Sequence, residues 1–354
     1  MTSKPRAREL GIPFSGQPGR WNAITDVAGV EVGHTTLIEG TSTRTGVTAI
    51  LPCGRQAGGA SVPAAVFSLN GNGELTGSHW IEESGFMAGP VMLTNTHSVG
   101  VVRDAVAAWL DKVTPPEEGQ GFHLPVVGET YDGVLNDISA QAVRAEHAVA
   151  ALTQARSGPV AEGNVGGGTG MITHRFKGGI GTASRMLEVA GTIGTLGVLV
   201  QSNYGARDML TIAGVPVGQH LTELMPEIRQ QRDGSIIIVV AADLPLLPHQ
   251  LKRVARRATM GLARLGGAAF NSSGDLFLAF STARPTRQDG KEQWSTLVND
   301  DLDGVFRATV EATEEAIVNA LLAAETLQGF QGNVVHALPH DELLAVMQQY
   351  GRLG

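Results

Sequence analysis

Short apolar runs bounded by Gly, Pro, Asn or Ser dominate the hydrophobic pattern of the chain. Those at 47–51, 64–69, 91–94, 124–127, 193–201, 236–242 and 276–280 have the length and punctuation of buried strands. Between them, apolar residues recur at helical spacing. This predicts helices over 99–113, opening after Ser98 as N-cap, and over 139–154, 247–265 and 305–327. In the last of these, Phe306, Val310, Thr313, Ile317 and Leu321 share one stripe, which turns Thr313 toward the core. Glu315 falls on a second, weakly apolar side with Ala308, Ala312 and Leu322. Loops are predicted at 114–121, 156–170 and 283–292, the last as an exposed polar excursion. No repeat or long linker interrupts the pattern, so it reads as one compact α/β or α+β unit. The longest apolar runs, 193–200 and 236–242, are far shorter than the roughly 18 residues a membrane helix needs.

Composition narrows the function. The 354 residues include 46 glycines, concentrated at strand ends, where they permit tight turns and close backbone approach. A single cysteine, Cys53, excludes an intrachain disulfide and any Cys-based zinc or iron–sulfur site. With 26 Lys+Arg against 34 Asp+Glu, a net charge of −8 and no basic tail, the chain is a poor fit to nucleic acid. The polar segment 1–10 lacks the apolar centre of a secretory signal, so the expectation is a soluble cytoplasmic protein, with the periplasm as alternative.

Several familiar motifs are absent. The run GNVGGGTGM at 163–171 is not GxGxxG in register with a helix and a following acidic residue, and no GxxxxGK[ST] occurs. His336 and His340 are four apart, but no glutamate follows His336 and Pro339 breaks the helix, which excludes HExxH. The basic strip of Lys252, Arg253, Arg256 and Arg257 reads as a solvated face or a salt-bridge strip between subunits.

Four segments carry candidate chemistry. In LGGAAFNSSGDLFLAFST (265–282), a polar cluster from Asn271 to Asp275 precedes an apolar strand. It is either turn chemistry or a nucleophile site. A cut before Ser273 would free an α-amino group, of reference pKa ~7.7–8.0, to act as base for the serine hydroxyl. In PVVGETYDGVLND (125–137), Glu129, Asp132, Asn136 and Asp137 surround Tyr131. A carboxylate there can bind a substrate ammonium, and a tyrosine hydroxyl can donate to a developing oxyanion; the alternative is a capped loop. In GVLVQSNYGAR (197–207), Asn203 just past a strand is an oxyanion donor or a turn cap. In the helix 305–327, Glu315 as a partly buried carboxylate requires a partner, and an N-terminal ammonium would be one; Glu311 and Glu314 read as surface carboxylates.

Together these segments resemble the self-processing aminopeptidases that include the L-aminopeptidase/D-esterases and β-peptidyl aminopeptidases. The resemblance runs in order through DVAGVEVGHTT (26–36), GNGELTG (71–77), LTNTHSVG (93–100), ETYDGVLND (129–137), EGNVGGGTGM (162–171), LVQSNYG (199–205), PLLPHQLKRVARRATMGLAR (245–264), SSGDLFLAFST (272–282) and ATEEAIVNAL (312–321). It implies a four-layer αββα sandwich, like the N-terminal-nucleophile hydrolases but with different connectivity. It also implies a precursor cut between Ser272 and Ser273 into an α chain of 1–272 and a β chain of 273–354. Family members commonly carry Gly or Asn before the nucleophile; Ser272 stands there in this chain, and Asn271–Ser272 is the alternative bond. The resemblance further assigns Glu129 to the substrate amine, Tyr131 and Asn203 to the active site, and a hydroxyl–x–glutamate pair supporting the nucleophile to Thr313 and Glu315. It implies no metal or cofactor, small peptide, amide or ester substrates with a free amine, and a homo-oligomer of αβ pairs. An ornithine acetyltransferase-like acyl transferase, or a non-catalytic binding protein of the same fold, is the competing reading.

Overall fold

The computed structural model describes residues 4–114, 121–226, 228 and 234–353. The first sheet is built from β1 (Glu31–Glu39), β2 (Thr43–Leu51), β5 (Val91–Asn95) and β6 (Val126–Thr130), in that order. Between its members the chain forms β3 (Ser61–Gly71) and β4 (Phe86–Ala88), which join the second sheet. A short hairpin, β7 (Ile172–Thr173) and β8 (Phe176–Lys177), then precedes β9 (Gly179–Val189), β10 (Thr192–Asn203), β11 (Ser235–Ala242) and β12 (Gly274–Ser281). The second sheet has the order β4-β3-β12-β11-β10-β9. The main helices are α1 (Ser78–Ser84), α2 (Val99–Val113), α3 (Ala145–Gln154), α4 (Val217–His220), α5 (Pro248–Arg264), α6 (Asp303–Ala323) and α7 (His340–Gln349).

Strand periodicity sorts the apolar side chains into layers. On the outer face of the four-stranded sheet, Val47, Ala49, Leu51 and Met92 pack with Val102 and Val106 of α2 and Leu152 of α3. Between the sheets, Ile50, Leu93 and Val126 meet Leu199, Ile237, Val239 and Leu278. On the far face of the six-stranded sheet, Val198, Val200, Ile238 and Phe277 pack with Val254 and Ala258 of α5 and Ile317 and Leu321 of α6. The expected αββα sandwich is therefore the fold. Helices α5 and α6 approach closely because residue 261 is glycine: a Cβ there would lie 2.6 Å from Cβ of Thr313.

The strands expected at 47–51, 64–69, 91–94, 193–201, 236–242 and 276–280 fall inside β2, β3, β5, β10, β11 and β12. The run at 124–127 is displaced into β6. Strand β9 lacked an apolar signal. β9 is buried largely through Gly181, Ser184 and Arg185, because α6 packs directly on it. The helix expected over 139–154 starts only at Ala145, because Gln141 adopts φ 48° and ends a short turn. The helix expected over 305–327 stops at Ala323, where Ala324 turns extended. Of the loop expected at 114–121, residues 115–120 lie outside the described residues. The excursion at 283–292 is exposed and includes β13 (Thr286–Gln288) and part of β14 (Lys291–Gln293). The basic strip of α5 is satisfied internally: Lys252 pairs with Glu82, Arg253 and Arg257 lie over Phe306, and Arg256 lies over Phe67.

Strand direction concentrates chain ends at one edge of the sandwich. β11 and β12 run parallel and begin together, Ile236 opposite Asp275. The antiparallel neighbours β3 and β10 finish beside those beginnings, with Gly71 opposite Gly274 and Asn203 opposite Ser235.

Candidate active site

A cleft of about 750 Å³ opens at these strand ends, and its walls include Asn72, Glu74, Glu129, Tyr131, Ser235 and Ser272. Glu129, near the end of β6, is buried. Its Oε1 accepts the Glu74 N–H at 3.0 Å and its Oε2 accepts the Thr96 hydroxyl. Burial pushes its carboxyl above the usual range, the bonds from Thr96 and Glu74 N–H pull it back, and the Glu74 charge pushes it up again. A Cβ on Gly73 would lie 3.0 Å from Glu129 Oε1 and 3.3 Å from Gly274 Cα, so this carboxylate faces the start of β12 across a single glycine.

Two serines stand at adjacent strand starts. The Ser235 Oγ, at the entry to β11, accepts the Gly274 N–H at 2.9 Å. The Ser273 Oγ lies 2.7 Å from Asp275 Oδ2, to which it donates, and 2.8 Å from the Phe270 carbonyl. Asp275 is buried and stands opposite Ile236, the residue that follows Ser235, in the β11–β12 ladder; its Oδ1 has no hydrogen-bond partner among the described residues. Burial raises its pKa to about 6, opposed by the Ser273 bond and by the nearby Ile236 N–H. The turn carrying Ser273 is clamped from β3. Asn70 Nδ2 donates to Phe270 O at 2.9 Å, and Asn72 Nδ2 donates to Ser272 O at 2.7 Å.

Asn203 lies across β11 from this pair. Its Oδ1 accepts the Ile172 N–H at 2.7 Å and its Nδ2 donates to the Tyr131 carbonyl at 2.9 Å. Gly234 fits against it so tightly that a Cβ there would come within 1.6 Å of Asn203 O and 3.1 Å of Nδ2. Glu129, Tyr131, Asn203, Ser272 and Ser273, predicted from separate segments, thus converge on one end of the sandwich.

Thr313 and Glu315 do not. Glu315 is fully buried, but its carboxylate accepts Arg8 Nε at 2.9 Å, Asn22 Nδ2 at 2.6 Å and Arg185 Nη2 at 2.7 Å. Arg185 pairs along the ladder with Leu196, seven residues back along β10 from Asn203 and therefore toward the opposite end of the sheet. The partners of Glu315 are two arginines and an asparagine that local sequence cannot place, not a terminal amine. Thr313 is buried at the α5–α6 crossing against Gly261. The reading of Glu311 and Glu314 as surface carboxylates is also corrected: both are buried, paired with Arg307 and Arg264. A hydroxyl–x–carboxylate arrangement of the kind expected at Thr313 and Glu315 occurs at Ser273 and Asp275, 2.7 Å apart.

Sequence reasoning did not single out Ser235 or pair Asp275 with Ser273. The signal for Ser235 was present: Gly234-Ser235 precedes the apolar run 236–242 as Ser272-Ser273 precedes 276–280. Among the described residues no group of three or more His, Cys, Asp or Glu is placed to hold a metal ion, and no helix is long and apolar enough to cross a membrane.

A serine-bearing cleft at the strand ends of an αββα sandwich is the architecture of an N-terminal-nucleophile type of hydrolase. The profile of peptidase family S58 matches residues 22–335, and the chain belongs to that family. It is 52% identical to the β-peptidyl aminopeptidase BapA of Sphingosinicella microcystinivorans, over 99% of this chain and 93% of that protein. Among solved structures it is similar to the L-aminopeptidase D-Ala-esterase/amidase of Ochrobactrum anthropi, described as a variant of the Ntn hydrolase fold. That match has a TM-score of 0.93 and 50% identity, over 99% of this chain and 100% of that one. A Burkholderia sp. β-aminopeptidase matches with a TM-score of 0.89 and 47% identity, over 98% and 99% of the two chains. The chain is a serine-type hydrolase of the aminopeptidase/amidase kind, and the acyl-transferase reading is not favoured.

Proposed function

We propose that the chain cuts itself between Gly234 and Ser235. The resulting pair of chains, 1–234 and 235–354, releases amino-terminal residues, β-amino acids among them, from peptides and small amides. The observation that carries this reading is the position of Ser235 between the Asn203 carboxamide on one neighbouring strand and the Ser273–Asp275 pair on the other. Adjacent strands are about 4.8 Å apart, so the start of β12 is roughly 10 Å from Asn203. The Asn203 amide therefore serves the 234–235 peptide rather than the 272–273 peptide. The expected division at Ser273 moves accordingly, and Ser273 becomes a supporting hydroxyl.

In the precursor, Ser235 Oγ attacks the Gly234 carbonyl carbon while the Asn203 amide receives the developing oxyanion. The C–N bond breaks, the nitrogen takes the proton, and the resulting ester is hydrolysed by water. This leaves a Gly234 carboxylate and a free α-amine on Ser235. In the mature enzyme that amine takes the hydroxyl proton as Ser235 attacks a substrate carbonyl, then delivers it to the leaving amine. The Asp275 carboxylate, held by Ser273, faces the ammonium formed in between. Glu129 binds the substrate ammonium in the same cleft, which selects amino-terminal residues. Tyr131 borders both the cleft and the Asn203 carboxamide.

Cleavage at Ser272–Ser273 remains the second reading, because Asn72 donates to the Ser272 carbonyl at 2.7 Å. Intact mass separates the two. By proportion of 37.0 kDa, the 234–235 cut yields fragments of roughly 24 and 13 kDa and the 272–273 cut roughly 28 and 9 kDa. Ser235→Ala is expected to remain one inactive chain, whereas Ser273→Ala cleaves slowly at the same bond. A 9 kDa fragment, or normal processing of Ser235→Ala, refutes the assignment. β-Homoalanyl, L-alanyl and D-alanyl nitroanilides, each with a free or an acetylated amine, define the substrate class.

A further inference from the structure

Arg207 is buried, and no carboxylate pairs with it among the described residues. Its guanidinium is spent on backbone carbonyls. Nε donates to His174 O at 3.0 Å, Nη2 to Arg175 O at 2.8 Å, and Nη1 to Leu221 O and Glu223 O, each at 2.7 Å. A weaker bond runs from Nη2 to Leu224 O at 3.2 Å, and the group lies over the Phe176 ring, 3.3 Å from its centroid. A planar fork with five N–H donors matches this set; an ammonium does not.

The carbonyls of His174 and Arg175 belong to the tip of the β7–β8 hairpin. Both residues are left-handed, φ 48° and 63°, a conformation strained for a side-chain-bearing residue. Two successive residues of this kind make the tight turn of a two-residue hairpin, usually built from Asn and Gly. External ties hold it here: the Arg207 bonds and the His174 N–H to the Tyr204 carbonyl at 2.6 Å.

The first residue of that hairpin touches the site. The Ile172 N–H can only donate, so Asn203 must turn Oδ1 toward it. The Tyr131 carbonyl can only accept, so Nδ2 must point the other way. The hairpin and the Tyr131 carbonyl together decide which end of the Asn203 carboxamide faces the Gly234–Ser235 bond.

We infer that Arg207 is a positioning residue: by holding the strained His174–Arg175 turn it presents Ile172 N–H to Asn203 and orients the carboxamide as an oxyanion donor. This rests on the reading of Asn203 given above. The test is a double-mutant cycle on the self-cleavage rate, followed by intact mass, with steady-state kinetics on the processed fraction. Asn203→Ala is expected to slow cleavage by about 10²–10³. Arg207→Lys is expected to slow it tenfold or more and to lower kcat similarly with KM within about twofold. The double variant is expected to cleave no more slowly than Asn203→Ala alone, because the donor being oriented is already gone. Losses that multiply in the double variant, or a wild-type rate for Arg207→Lys, overturn the inference. A wild-type rate for Asn203→Ala removes the oxyanion reading itself, and the inference with it. Should Arg207→Lys fail to fold, Phe176→Leu loosens the same guanidinium and is held to the same non-additivity with Asn203→Ala.

Discussion

Gly234→Ala adds one carbon at the residue whose carbonyl is attacked in the proposed self-cleavage. Its ideal position is 1.6 Å from the Asn203 carbonyl oxygen and 2.5 Å from the carbonyl carbon. Optimal carbon contacts lie near 3.5–4.0 Å, so something must yield by about 2 Å. Asn203 is poorly able to do so: it is paired with Ser235 across the ladder and held by Ile172 and Tyr131. The 234–235 peptide is therefore displaced from the carboxamide. A misplacement of 1 Å can cost about 10² in rate, so self-cleavage is expected to slow at least 10²-fold. The stability loss from overpacking is expected to be a few kcal/mol or less, because the strain falls at a strand entry. The assay is a time course of intact mass on purified precursor, with circular dichroism to show that the variant is folded. Ser272→Ala makes a comparably small change before the other serine, at an exposed residue, and is expected to leave the rate within about twofold. Wild-type cleavage in folded Gly234→Ala, or a block in Ser272→Ala, refutes the reasoning.

Glu315→Gln is expected to cost about 3 kcal/mol of stability in denaturant unfolding, because it leaves buried Arg185 with Glu311, at 3.8 Å, as its remaining carboxylate. The kcat/KM of its processed form should stay near wild type; a large fall at unchanged stability would restore Glu315 to the active site. Asp132, fully buried beside Tyr131, has its pKa raised to about 6 by burial, opposed by the neighbouring Thr45, Asn136 and Asn95 side chains. The folded state thus holds this proton more tightly than the unfolded one. The associated stability is complete below about pH 4 and is lost as the pH rises through 6, about 3 kcal/mol in all. Asp132→Asn should remove that component, and equal slopes of unfolding free energy between pH 4 and 7 for variant and wild type would contradict it.

What the sequence made legible follows the physics of burial. Strands such as β11, apolar on both faces, announce themselves, whereas β9 hides because glycine, serine and a paired arginine fill the same role beneath α6. Glu129, Tyr131 and Asn203 were readable because each stands at or just past a strand end, where side chains of successive strands are gathered together. Glu315 was misplaced for a different reason. Burial can be read from a helical pattern, but the identity of a buried charge's partner cannot. Its true partners come from Arg8, at the other end of the chain, and Arg185, on a strand the pattern did not show. The choice between Ser235 and Ser273 turns on strand order. Both serines precede an apolar strand, and local sequence treats them alike. Only the arrangement β12-β11-β10 sets one of them between an asparagine and a carboxylate, and the other against the carboxylate alone. A nucleophile needs an acceptor for its proton on one side and a donor for the oxyanion on the other. In the proposed site that requirement is met across three strands and is therefore invisible along any one of them.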